Sequence, residues 1–188
     1  MADKVEELFI QSGAVLHGHF LLTSGLHSPM YWEKFKILQY PQYTEQLCKM
    51  IAARFRKDKL DVVAGPTTGG IILAYEVARQ LGVRSIYAEK EGNIRIFRRS
   101  LTIKPGERVL VVDDILTTGG SAQQVVDAVR QLQGNVVGVG ILVDRSETRL
   151  DFGAPFFACL RSQTIAYPAD KCPLCAQNIP LVKPGGGS

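Results

Sequence analysis

The chain has 188 residues, 46% of them hydrophobic, with a formal net charge of +4 and a sequence pI near 8.9. That length and composition suit one well-packed α/β domain, and the mild, dispersed positive charge suits anionic small substrates rather than an extended nucleic-acid stripe. No stretch approaches the roughly 20 apolar residues of a membrane span, and the first residues lack the basic and apolar regions of a signal peptide, so a cytoplasmic protein is expected, with neither membrane nor nucleic acid as partner.

In chain order, Val5, Leu8 and Phe9 fall at helical spacing and predict a short helix over Lys4–Gln11. Residues Gly18–Trp32 alternate poorly and are rich in turn formers; they predict two short strands around Ser24-Gly25, in a hood of about residues 13–40 rather than in the core. Leu47, Met50, Ile51 and Phe55 share one face of a helix over Tyr43–Arg56. A buried strand, Asp61–Gly65, then feeds the loop Pro66–Gly70 and a helix over Ile71–Leu81, before a strand at Ser85–Ala88. In Glu89–Lys104, a turn at Glu91-Gly92-Asn93 precedes Arg95, Arg98 and Arg99 interleaved with apolar residues, which predicts a β-hairpin arm. Val109–Val112 is a strand, Ala122–Leu132 a helix and Val136–Val143 a strand. This alternation argues for a mostly parallel sheet flanked by helices on both faces, with ligands at the carboxyl ends of the strands. Residues 1–183 form a single domain, and the Gly-rich residues 184–188 read as a flexible tail.

The segment from Val109 to Ser121 carries the chemistry. An apolar β-branched run ends in Asp113 and Asp114 and breaks into Thr117-Thr118-Gly119-Gly120-Ser121 before a helix. Small hydroxyl and glycine residues at a helix N-terminus let backbone N–H groups close around a phosphate. Adjacent carboxylates would repel a bare anion, so the ligand also brings hydroxyls or a metal, as a sugar phosphate does. No Lys follows the glycines and no Gly-x-Gly-x-x-Gly is present, which excludes the two common nucleotide-binding loops.

This segment resembles the phosphoribosyl-pyrophosphate (PRPP) signature of type I phosphoribosyltransferases. With the hood segment Phe20–Tyr31 and Val143-Asp144-Arg145, the resemblance runs from Leu8 to Val182 and is to the orotate phosphoribosyltransferase family. It implies a type I phosphoribosyltransferase fold with hood and arm, a homodimer, and transfer of 5-phosphoribosyl from PRPP to orotate, giving orotidine 5′-monophosphate and pyrophosphate for pyrimidine biosynthesis. Mg²⁺ is implied as the cofactor, held mainly by PRPP and not by a protein ligand set.

Carried over residue by residue, Asp113, Asp114, Lys90 and Arg99 are the implied catalytic groups. PRPP would be bound by these two carboxylates and Lys90 with Ile115, Leu116, Thr117, Thr118, Gly119, Gly120, Ser121, Thr68, Gly69 and Arg95, and orotate by Thr117, Arg145, Tyr31 and Trp32. The chain departs from the family pattern where Thr23 and Gly69 stand in place of lysines, and its arm lacks the usual Lys, acidic and His run. The rival functions are a purine or uracil phosphoribosyltransferase and a PRPP-sensing regulator; the first has less need of Arg145, and the second lacks a DNA-binding segment.

Of the four cysteines, Cys48, Cys159, Cys172 and Cys175, the last two have zinc-ribbon or redox spacing. A four-ligand site usually needs a second pair, and all three histidines lie between residues 17 and 27, so a structural turn or a site shared between subunits is the expectation.

Overall fold

A computed structural model describes residues 2–22, 24–162 and 165–184; Thr23 and residues 185–188 of the tail lie outside the described residues. Six strands form the central sheet in the order β5-β4-β3-β6-β7-β8. They are β3 (Val62–Pro66), β4 (Arg84–Glu91), β5 (Ile94–Phe97), β6 (Arg108–Leu116), β7 (Asn135–Asp144) and β8 (Phe156–Arg161). All neighbours are parallel except β5, which runs antiparallel to β4. Strands β3 and β6 are almost wholly buried, as expected of central parallel strands covered on both faces.

Helices α1 (Ala2–Gln11), α2 (Lys34–Leu38), α3 (Pro41–Phe55) and α4 (Gly69–Leu81) contribute to one core, around Phe9, Leu47, Ile51, Phe55, Leu73 and Leu110. Helix α5 (Gly120–Gln131) covers the other face, packing Val125, Val126 and Val129 on Val109, Val111 and Val139. The period-2 alternation of β6 explains the division: Leu110 and Val112 face the first core, Val109 and Val111 the second.

One strand was not expected from sequence, and two expected features, the hairpin arm and the two hood strands, are more buried than their polar sequences suggest. Strand β8 was not expected; it adds a short apolar run, Phe-Phe-Ala-Cys-Leu-Arg, to the edge beyond β7, and no helix lies between the two strands to announce it. The arm is the sheet's own edge hairpin, β4–β5, and Arg95 within it is buried. The hood is a two-stranded antiparallel ribbon of β1 (Val15–Leu21) and β2 (His27–Trp32), with a register shift between His17 and Phe20 that breaks the alternation. Several of its residues are buried, His19, Phe20, His27, Ser28 and Trp32 among them. The C-terminal segment supplies part of that cover: Val182 bridges to Phe20 and Tyr167 to His27.

Candidate active site

The carboxyl ends of β6 and β7 and the loop between β3 and α4 meet at one edge of the sheet. Beyond β6, residues Thr117–Ser121 curl into the start of α5, and with Asp113, Ile115, Leu116 and Ala122 they line a cavity of about 80 Å³, larger than the roughly 30 Å³ share of one water. Gly119 takes φ +78°, where a side chain is strained, and a Cβ there would meet Leu150 at 2.5 Å. Thr117, Thr118, Gly120 and Ser121 stay exposed, leaving hydroxyls and backbone at the start of α5 open to an anion. A larger open groove of about 690 Å³, lined by Lys4, Gln46, Lys49, Met50, Arg54 and Phe157, lies among α1, α3 and β8 and lacks such a cradle.

Asp113 and Asp114 are 8% and 3% exposed and point to opposite sides of β6. Asp113 lines the phosphate-sized cavity. Its carboxyl is pushed up to about 7, first by burial and then by the charge of Asp114. Asp114 faces α4 and the hood. Its Oδ1 accepts from Lys34 Nζ at 3.0 Å and from the Ile115 N–H at 2.6 Å, while its Oδ2 lies 2.9 Å from the same ammonium without a directed hydrogen bond.

Lys34, which sequence reading missed, lies just past the hood's Tyr31-Trp32, on the N-terminal residue of α2. The carboxylate of Asp114 fills the place where a side chain on Gly69 would begin, since a Cβ there would overlap Asp114 Oδ2. In this chain, therefore, position 69 leaves room for a carboxylate, and the cation beside that carboxylate comes from the start of α2.

Arg95 joins the two loops. Its Nη1 donates to Thr67 Oγ1 at 3.1 Å and to the Ala88 carbonyl at 3.3 Å, and its Nη2 donates to Ser121 Oγ at 3.2 Å. Its Nε is buried without a partner among the described residues, and burial lowers the guanidinium's affinity for its proton, partly offset by Asp113. Thr68 is exposed beside it, after a cis Thr67–Thr68 peptide.

The remaining arm cations point to solvent. Lys90 is exposed and in register with Arg95; Arg98 pairs with Glu91 at 2.8 Å, and Arg99, 72% exposed, pairs with Glu89 at 2.8 Å.

At the end of β7, the Arg145 N–H donates to the Leu116 carbonyl at 2.7 Å, tying it beside the residue that precedes Thr117. Its guanidinium stands 6.0 Å from the centre of the Trp32 ring, and its buried Nε has no partner among the described residues. Burial again lowers the pKa, countered by Tyr31. Trp32 packs edge-on against Phe9 at 5.0 Å and is nearly buried; Tyr31 is half-buried, its phenol raised by burial and then by Glu33. Hood and sheet thus bring Tyr31, Trp32 and an underused cation together.

Comparison with known proteins places this geometry. The phosphoribosyl transferase domain family matches residues 36–170. The chain is 51% identical over 183 residues to the orotate phosphoribosyltransferase of Caldanaerobacter subterraneus subsp. tengcongensis, with 97% of this chain and 96% of that one covered. It is 50% identical, at the same coverage, to that of Pelotomaculum thermopropionicum. The solved structure of Mycobacterium tuberculosis H37Rv orotate phosphoribosyltransferase in complex with Fe(III) dicitrate aligns at a TM-score of 0.70 and 27% identity, over 85% of this chain and 96% of that one. Paired carboxylates at the end of a central parallel strand, followed by a phosphate-sized cradle, are thus those of a phosphoribosyltransferase, an enzyme that moves a pentosyl group. Within that class the chain belongs to the orotate phosphoribosyltransferase family.

Proposed function

We propose that Thr117–Ser121 hold the 5′-phosphate of PRPP, that Asp113 and Asp114 face its ribose, and that Arg145 with Tyr31, Trp32 and Thr117 receives orotate. Cleavage of the bond from ribose C1 to pyrophosphate builds positive charge on the sugar, and two buried carboxylates held in place stabilise it without reorganisation. Asp114 Oδ2, 2.9 Å from the Lys34 ammonium, keeps a lone pair for a ribose hydroxyl. Asp113 and Asp114 also suit Mg²⁺ carried in by PRPP, which when bound supplies positive charge to the departing pyrophosphate. Arg95, braced between Thr67 and Ser121, orients the two anion-binding loops towards each other, and Thr68 and Gly69 border the pyrophosphate. Lys90 and Arg99 are the exposed cations available to that leaving group, partly across a homodimer interface, in a cytoplasmic enzyme.

The observation that carries the orotate assignment is Arg145. A half-buried guanidinium whose buried Nε has no partner among the described residues, seated against an indole, suits a planar carboxylate. Purified protein supplied with PRPP, Mg²⁺ and one base at a time should consume orotate and spare uracil, adenine, guanine and hypoxanthine. Arg145→Ala should weaken orotate use by about 100-fold or more, the cost of ~3 kcal/mol or more for losing a buried charged partner, while PRPP binding stays intact. Equal turnover of uracil and orotate by the unaltered protein would overturn the assignment.

A further inference from the structure

Outside the active site, the fold gathers four metal-ligating side chains, a histidine pair and a cysteine pair that lie more than 140 residues apart in sequence. His19 on β1, His27 on β2, and Cys172 and Cys175 at the start of helix α6 (Pro173–Ala176) place one ligand atom each within 4.8 Å of all the others. His19 Nε2 stands 3.0 Å from His27 Nδ1, 3.5 Å from Cys172 Sγ and 3.8 Å from Cys175 Sγ, and His27 Nδ1 is 3.3 Å from Cys175 Sγ. Ligands of a tetrahedral zinc ion, at about 2.3 Å for sulfur and about 2.05 Å for nitrogen, lie roughly 3.3 to 3.8 Å from one another. Four of the spacings, 3.0 to 3.8 Å, fall in or close to that range, and every pair stays within 4.8 Å, so small side-chain adjustments suit a tetrahedral ion. Both cysteines are free thiols rather than a disulfide.

The surroundings also suit a metal. The Nδ1 of His19 lies 2.7 Å from the carbonyl of Ile179. A carbonyl accepts only, so Nδ1 carries the proton and Nε2 turns its lone pair into the cluster, the arrangement that orients metal-bound histidines. His19, His27 and Cys172 are 2%, 6% and 4% exposed, and Cys175 closes the outer side. Four protein ligands leave no position for a substrate.

The C-terminal segment has little else to hold it. From Pro168 to Pro184 the one buried residue is Cys172, and the apolar Ile179, Leu181 and Val182 are 37%, 44% and 51% exposed. Yet this segment is stitched to the hood: Leu21 N–H donates to Val182 O, Val182 N–H to His19 O, and His27 and Tyr167 exchange two backbone bonds. A small appendage without a core of its own is the setting in which a structural metal replaces hydrophobic burial.

We propose that His19, His27, Cys172 and Cys175 form a structural zinc site that pins the C-terminal segment to the β1–β2 ribbon. Binding releases one proton from each thiol and leaves a neutral Zn(Cys)₂(His)₂ centre, with no redox step. Mixed nitrogen and thiolate ligands in a tetrahedron select zinc over the hard, oxygen-seeking Mg²⁺ of the reaction. Because β2 continues from His27 to Tyr31 and Trp32, the pin also steadies the hood side of the active site.

The test uses the full chain purified under reducing conditions without a metal-affinity tag. Elemental analysis should find one zinc per chain, and Cys172→Ser with Cys175→Ser should find none. Replacement by Co²⁺ in the unaltered protein should give the intense visible bands of a tetrahedral ion with a sulfur-to-cobalt charge-transfer band, a readout independent of whether the variants fold. Removing zinc with a chelator that spares Mg²⁺ should lower the Tm by on the order of 5–10 °C, restored by added zinc. A chain that stays metal-free after reduction and incubation with equimolar zinc would overturn the proposal. So would undiminished zinc in folded double variant, or octahedral cobalt spectra.

Discussion

Lys34 Nζ lies 2.9 Å from Oδ2 of Asp114, joining the start of α2, next to the hood, to the carboxyl end of the central strand β6. The carboxylate is 4% exposed at its side chain and the lysine 36%. Removing one partner of a fully buried pair costs about 3–5 kcal/mol, and the partial exposure of Lys34 reduces this to roughly 1–3 kcal/mol. Lys34→Met should therefore lower the Tm by on the order of 5 °C. In a double-mutant cycle with Asp114→Asn, the two losses should be smaller together than their sum; strict additivity in calorimetry would show the pair to be energetically idle.

Gly69 and Asp114 compete for one space. Gly69→Ala should displace the Asp114 carboxylate and cut kcat/KM for PRPP by about tenfold to 100-fold, since ångström-scale misplacement of a reacting group has effects of that size. Combined with Asp114→Ala, it should add little to the loss from Asp114→Ala alone. A large further loss in steady-state kinetics would mean that Gly69 serves the loop backbone instead.

The raised carboxyl of Asp113 gives a pH dependence to the ligand-free protein. Between its ordinary value of 3.8 and about 7, the folded state keeps a proton that the unfolded chain has released. The stability contributed by this group is thus present at low pH, is lost as pH rises through that window, and is flat above it. Asp113→Asn removes this slope. Its Tm relative to the unaltered protein should accordingly be higher at pH 8 than at pH 5, measured without PRPP; a difference that does not change with pH would contradict the assignment.

Arg99 is held to its own chain by one exposed pair with Glu89. If it serves a neighbouring subunit, mixing an Arg99→Ala protein with one carrying Asp113→Asn and Asp114→Asn should restore part of the lost activity, through hybrid dimers with one intact site. Hybrids verified by native mass spectrometry but without recovered activity would confine Arg99 to its own subunit's site or remove it from catalysis.

The sequence by itself determined the parallel core and the phosphate loop, because both depend on local chemistry. Apolar β-branched runs make buried strands, a 3.6-residue period makes amphipathic helices, and Thr117–Ser121 need only their own small side chains and the following helix to form a cradle. Tertiary structure alone decided what depends on distant segments. The hydrophobic run of β8 was indistinguishable from loop until it paired with β7, and nothing in the sequence set Arg95 apart from the other arm arginines until the sheet edge turned it between Thr67 and Ser121. Lys34 became the partner of Asp114 only when α2 met the end of β6. Likewise, Cys172 and Cys175 lacked a second ligand pair in sequence; the hood ribbon brings two histidines to them because backbone pairing at Tyr167 and Val182 folds the C-terminal segment across β1 and β2.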